Sequence, residues 1–173
     1  MHLTHRAFAA SAAALTAVPA MAQPKTRPIV IAHRAVFVQC FEAAPLRTFK
    51  TLSEARRVQL IGRQTPQMVS PESLRAIAAY ADGVGPDWSM ILATTAEGAL
   101  GDATPLIAEA HALGLAVHPW TVRAENLYLP PTLRRGTSPA DHGDAEAVCR
   151  ALFAAGVDGL FSDFPSVAVA ARG

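Results

Sequence analysis

The sequence predicts an α/β domain whose strands run parallel, on three observations. Short β-branched or aromatic runs alternate with helical stretches along residues 23–173. The strand-plus-helix unit repeats at roughly 30 residues, the length of one such supersecondary element. Proline marks the first turn of three helices, at Pro45, Pro71 and Pro105, where its missing N–H costs nothing.

Ahead of this domain, residues 1–22 read as a secretory signal peptide. His2, His5 and Arg6 precede an apolar, alanine-rich run over 7–18, and Pro19 breaks it. Ala20-Met21-Ala22 then supplies the small-x-small pattern of a cleavage site, leaving Gln23 as the new N-terminus. The run is shorter than a bilayer-spanning helix. His5-Arg6-Ala7-Phe8 resembles a twin-arginine signal without its first arginine, so both export routes stay open. The expected location is periplasmic or secreted.

The elements follow in order. Residues 28–32 (PIVIA) and 36–41 (VFVQCF) are strands, and a helix spans about 45–54. Residues 58–61 form the next strand. Ser70-Pro71-Glu72 gives a cap, a first-turn proline and an acid at the positive helix end, opening a helix to about Ala81. Val84 marks a very short strand. Thr104-Pro105 repeats the cap-then-proline signal for a helix through Leu113, with Gly114 at its C-terminal turn. Residues 115–119 form a strand. Residues 126–143, rich in proline, glycine and charge, form a long loop expected to be the most mobile part. Asp144 opens a helix closed by Gly156, and Leu160-Phe161 sits in the final strand. The strands at 28–32 and 36–41 are too close to be parallel neighbours, because a crossover needs about a dozen residues. They are expected to fuse into one long strand or to bend tightly.

Removing 22 residues from 173 leaves 151, enough for one domain with a core. Hydrophobic residues make up 51% of the chain and mean hydropathy is +0.23, yet no later stretch has the length of a membrane span. The net charge of +1 comes with no Lys/Arg run, which argues against nucleic acid or an anionic membrane surface as partner. Cys40 and Cys149 are the only cysteines. Export permits a disulfide between them, two buried thiols serve equally, and neither has metal-ligand spacing.

Chemistry in a parallel α/β domain collects at the C-terminal edge of the strands. Those edges carry His33-Arg34, Phe41-Glu42, Arg63-Gln64, Gly85-Pro86-Asp87, His118-Pro119-Trp120 and Ser162-Asp163. His33 can give or take a proton near neutral pH, and Arg34 offers a planar fork suited to a phosphate. Together they suggest an anionic, phosphorylated substrate. Plainer readings stand beside these: strand-end hydrogen bonds for His33 and Arg34, packing for Trp120, a turn or helix cap for Asp163.

Several ordered motifs resemble the glycerophosphodiester phosphodiesterase family, periplasmic type. Residues 28–34 (PIVIAHR) resemble its first strand, "IAHRG", and 36–42 (VFVQCFE) its later "QSFE" strand. Residues 81–86 (ADGVGP), 117–123 (VHPWTVR) and 156–165 (GVDGLFSDFP) resemble further segments. The resemblance implies a (β/α)8 barrel that hydrolyses glycerophosphodiesters to an alcohol and glycerol 3-phosphate. It implies two histidines as acid and base, and a divalent metal, calcium or magnesium, held by carboxylates. It places the catalytic histidine on His33 and the phosphate-binding arginine on Arg34, and makes Trp120 an aromatic wall for the substrate glycerol.

The sequence departs from the family in one large step. The family places a long segment between "HRG" and "QSFE", holding a Glu-x-Asp metal pair, the second histidine and a further glutamate. Here only Ala35 separates Arg34 from Val36, so none of those ligands has a matching position. Glu42, Asp87, Asp163, His33 and His118 show no telling metal spacing; His118 could replace the lost histidine, but its place before Pro119 makes a structural role the expectation. The expected fold is a partial (β/α)8 barrel with four to five strand-helix units, where a full barrel needs eight and about 250 residues. The metal is expected not to be retained, and hydrolysis to fall far below that of an intact relative. The alternative is a non-catalytic remnant or phosphate-ligand binder that self-associates through its open strand edges.

Overall fold

A computed structural model describes residues 37–173 and the backbone of 29–31. The leader read over residues 1–22 and the pair His33-Arg34 lie outside the described residues.

The chain order is β1 (Ile29–Ile31), β2 (Phe37–Cys40), α1 (Ala43–Leu52), β3 (Arg56–Ile61), α2 (Pro71–Ala78) and β4 (Gly83–Pro86). Then come β5 (Leu92–Thr94), β6 (Leu100–Ala103), α3 (Leu106–Ala112), β7 (Ala116–Val117), α4 (Ala145–Ala155), β8 (Gly159–Phe161) and α5 (Pro165–Arg172). Strands β2, β3, β4 and β7 form one parallel sheet in that order, and β1 pairs parallel with β8. The two groups join where Val122 N–H donates to Phe161 and Phe161 N–H donates to Pro119, with Val122 bridging Ser162. The result is one curved wall of six parallel strands, ordered β2-β3-β4-β7-β8-β1. Five strand-helix units and the lone strand β1 make it up, a partial barrel as the sequence predicts. Among the described residues β1 and β2 each pair on one side only.

The first two strands neither fuse nor pair. They stand at opposite edges of the wall, with four strands between them. The remaining expectations hold with local corrections. Helix α1 begins two residues before Pro45, which is still within the turn whose N–H groups lack helical partners. Helix α2 starts as expected: the Ser70 hydroxyl accepts from Ser73 N–H at 3.2 Å. Helix α3 does not use Thr104 as its cap, because that hydroxyl donates to the Met90 carbonyl at 3.0 Å. Asp144 caps α4 through Ala147 N–H, and Gly156 ends it in the left-handed conformation at φ 99°, which glycine adopts without strain.

Two elements go beyond the sequence reading. Strands β5 and β6 form an antiparallel hairpin, and α5 follows the last strand, opened by Pro165. The short strand read around Val84 proves central, paired on both sides as β4. The segment 126–143 carries two short 3-10 turns, Asn126–Tyr128 and Pro131–Leu133. It is fastened by the buried Asn126 amide, which donates to Arg135 and Ser138 carbonyls at 2.6 and 2.9 Å. Cys40 and Cys149 are free thiols, so no disulfide forms. Burial pushes the Cys149 thiol up to about 12, which leaves it unreactive.

Register divides the wall into two faces. On the convex face, Val38 and Cys40 of β2 lie beside Arg57 and Gln59 of β3, under the helices. Gln59 is fully buried there, donating to the Phe41 carbonyl at 2.8 Å and accepting from the Tyr80 hydroxyl at 2.8 Å. On the concave face, Phe37, Gln39 and Phe41 precede Val58, Leu60, Gly83, Gly85, Ala116, His118 and Trp120 across the strands. Gly85 is required by close approach: a Cβ there would lie 2.8 Å from a Leu60 methyl and 3.1 Å from the His118 carbonyl. Because β4 puts no side chain on this face at 83 or 85, Phe37 reaches over it to His118, edge-on at 4.9 Å.

Candidate functional site

Parallel strands bring their C-terminal ends to one rim, and two clefts open there on either side of Trp120. One, of about 390 Å³, is lined by Arg63, Asp87, Trp120, Arg123, Leu127 and Tyr128 among others. The other, of about 230 Å³, opens on the concave face between Gln39, Phe41, Leu60, Phe161 and Asp163.

Trp120 is where the sequence places it, at the rim after β7. Its indole N–H donates to the Gly85 carbonyl at 2.6 Å, and its ring meets Phe41 edge-on at 5.4 Å. The one polar group of the indole is therefore used internally. What Trp120 offers either cleft is an apolar wall.

Two arginines supply positive charge. Arg63 is exposed, with Nε 3.4 Å from Asp87. Arg123 pairs with Asp163 at 2.8 Å, and its guanidinium lies 4.7 Å from the centre of the Tyr128 ring. Burial disfavours the Arg123 charge, but Asp163, Tyr128 and Glu125 outweigh it and hold the pKa above its ordinary value. Asp87 is further committed, accepting from Ser89 N–H and hydroxyl at 3.0 and 2.7 Å.

His118 is not a rim group. It is 2% exposed, and burial, with Arg56 adding to it, lowers its pKa against the opposing pull of Asp158. Its ring packs edge-on against Phe37 at 4.9 Å, which is the structural role expected of it. The rim carboxylates do not suit a metal either. Asp87 and Asp163 each face a guanidinium, whereas a hard cation wants several convergent oxygens. Among the described residues no group of three or more His, Cys, Asp or Glu side chains could hold a metal ion. The described rim therefore does not fit calcium or magnesium.

Leu127 and Tyr128 were not singled out by the sequence reading. Their signal was the apolar run Leu127-Tyr128-Leu129 at the start of the loop. Arg123 was visible only as the last residue of a family-like segment.

The model for the glycerophosphoryl diester phosphodiesterase family matches residues 11–167. A glycerophosphodiester phosphodiesterase of Arabidopsis thaliana, GDPD6, is 31% identical over 139 residues, covering 75% of this chain and 35% of the relative. A glycerophosphodiester phosphodiesterase of Haemophilus influenzae is 33% identical over 106 residues, covering 59% of this chain and 26% of the relative. A solved structure from Agrobacterium tumefaciens, assigned to the glycerophosphoryl diester phosphodiesterases, superposes with a TM-score of 0.50 at 19% identity. It covers 78% of this chain and 42% of that one, and shares the fold. The partial wall is thus a portion of a parallel β/α barrel. The chain belongs to the glycerophosphoryl diester phosphodiesterase family. It spans between a quarter and about a third of the length of the curated relatives it matches.

Proposed function

We propose that this chain binds the phosphate of a glycerophosphodiester, or of the glycerol phosphate released from it, at the C-terminal rim. In this reading it hydrolyses the diester far more slowly than a relative with a whole barrel. The observation that carries it is the cleft of about 390 Å³ in which Trp120 stands with the cations Arg63 and Arg123. β1 ends at Ile31, opposite Phe161, two residues before His33. Its C-terminal end therefore comes to the same rim as Asp163.

The roles follow from the chemistry of each group. Arg34 and Arg123 bind the phosphate oxygens through charge-assisted hydrogen bonds. Trp120 packs against the glycerol. His33 takes a proton from the attacking water or gives one to the leaving alcohol. The slow rate reflects the ligands that the family carries between the "HRG" and "QSFE" strands and that find no position between Arg34 and Val36. Without a metal the developing phosphoryl charge is less stabilised. The leader pattern read over residues 1–22 supports a site of action outside the cytoplasm.

Calorimetry of the 23–173 chain with glycerol 3-phosphate tests the reading. Saturable binding is expected, weakened roughly tenfold by Arg123→Gln; unchanged affinity in that variant would remove the cleft as the site. Metal-dependent turnover at a whole relative's rate, abolished by His33→Ala, would overturn the slow hydrolysis.

A second reading rests on the one-sided pairing of β1 and β2, which suits self-association through open edges. Light scattering tests it, and a monodisperse monomer at high concentration would end it.

A further inference from the structure

The larger cleft has an apolar wall that glycerol phosphate does not need. The turn Asn126–Tyr128 buries its polar residue and presents its apolar ones. Asn126 is held by Arg135 and Ser138 carbonyls, and its Oδ1 accepts from Arg135 N–H at 3.0 Å. Leu129, just beyond, is 3% exposed. Held between these anchors, Leu127 stands 64% exposed and Tyr128 42% exposed, both lining the cleft. Arg123 fixes the Tyr128 ring from its face. A scattered exposed leucine needs no explanation. Two apolar residues on a hydrogen-bonded turn, beside Trp120 and within a cleft holding two guanidinium groups, form a patterned surface. The volume of about 390 Å³ falls in the range of pockets for drug-sized ligands, about 300–1,000 Å³.

We infer that this cleft takes a phosphate ester bearing an aliphatic chain, with the phosphate toward Arg63 and Arg123 and the chain along Leu127 and Tyr128. Arg63 and Arg123 each meet a carboxylate through Nε, Asp87 at 3.4 Å and Asp163 at 2.8 Å, and their terminal guanidinium nitrogens suit an anionic head. Beside them Leu127, Tyr128 and Trp120 present apolar surface to the same cleft, so the tail is hydrocarbon. The inference rests on the cleft being a phosphate-ester site, as proposed above. The ester is met either as a free amphiphile or at a lipid surface.

Calorimetry of the 23–173 chain compares glycerol 3-phosphate with its octyl diester, kept below its micellar concentration. The octyl ligand is expected to bind at least about tenfold tighter, as burial of only a few methylenes would give. Leu127→Ser is expected to bring that affinity ratio down to about threefold or less. Leu127 is exposed, and an unchanged melting temperature checks that the variant folds. Equal affinities for the two ligands, or a ratio that survives Leu127→Ser, would overturn the inference while leaving the phosphate site standing. Failure of both ligands to bind would instead remove the phosphate site itself. Sedimentation with phosphatidylcholine vesicles containing lysophosphatidic acid separates the sources. Retention on vesicles assigns a lipid surface, and octyl binding without retention assigns a free amphiphile.

Discussion

The two faces of the strand wall are built to different standards. On the convex face helices cover the central strands: Ile61, Val84, Val117 and Leu160, with Leu46 and Leu74 of the overlying helices, have essentially no exposure, while Val38 and Cys40 of the edge strand β2 are half-buried. Even the polar residues there, Arg57 and Gln59, are buried with partners. The concave face has no second layer among the described residues beyond its own strands. Val58 and His118 are buried there, but Phe37, Leu60, Trp120 and Phe161 are only partly covered, and Phe41 is 50% exposed. A closed barrel seals its inner face by filling it with side chains from all around the ring. A wall of six strands fills it only where side chains reach across, as Phe37 does over Gly85. The helix-backed face therefore supplies the larger share of the burial, and the concave face is left incompletely covered toward the rim.

The largest expected effect tests that division directly. Leu74→Ala, on α2 beneath the sheet, is expected to cost about 3 kcal/mol, and Leu60→Ala on the concave face about half as much. Urea denaturation measures both, and equal losses would erase the distinction between the faces. Next is Tyr80→Phe, which leaves the Gln59 carbonyl oxygen without its donor. A loss of about 1–2 kcal/mol is expected, with a smaller effect showing that water reaches this face after all.

The smallest effect sharpens the concave side. Burial lowers the His118 pKa below its ordinary 6.5. As pH falls through that value the unfolded chain takes up a proton that the folded chain refuses, so stability drops on the acid side and is retained above it. His118→Phe keeps the ring contact with Phe37 and is expected to flatten this acid loss between pH 7 and 5. Identical pH profiles of the denaturation midpoint for the two proteins would show that His118 is solvated in solution.

The convex face was also the more legible in the sequence. Ser70, Asp144 and Gly156 announced helix ends because capping is local chemistry, and β-branched runs announced strands. The hairpin β5–β6 escaped notice because Thr94-Thr95-Ala96-Glu97-Gly98 has no alternating apolar pattern. Helix α5 was hidden because Phe164-Pro165 served the turn reading and the helix reading equally. The rim was legible only in part. Trp120 and Asp163 lie at strand ends that the sequence reveals. Tyr128 and Leu127 reach the cleft through a turn fixed by Asn126, whose partners lie 9 and 12 residues away. No periodicity records such a contact.

The Phe41–Trp120 contact gives the protein an optical gauge. The chain has two tryptophans; Trp88 is 8% exposed and packs in the core while also lining the larger cleft, whereas Trp120 touches Phe41, just past the edge strand, and borders both clefts. Emission from Trp120 changes whenever a strand is added beside β2 or a ligand enters the rim, so a Trp88→Phe variant would report assembly and binding without any added label.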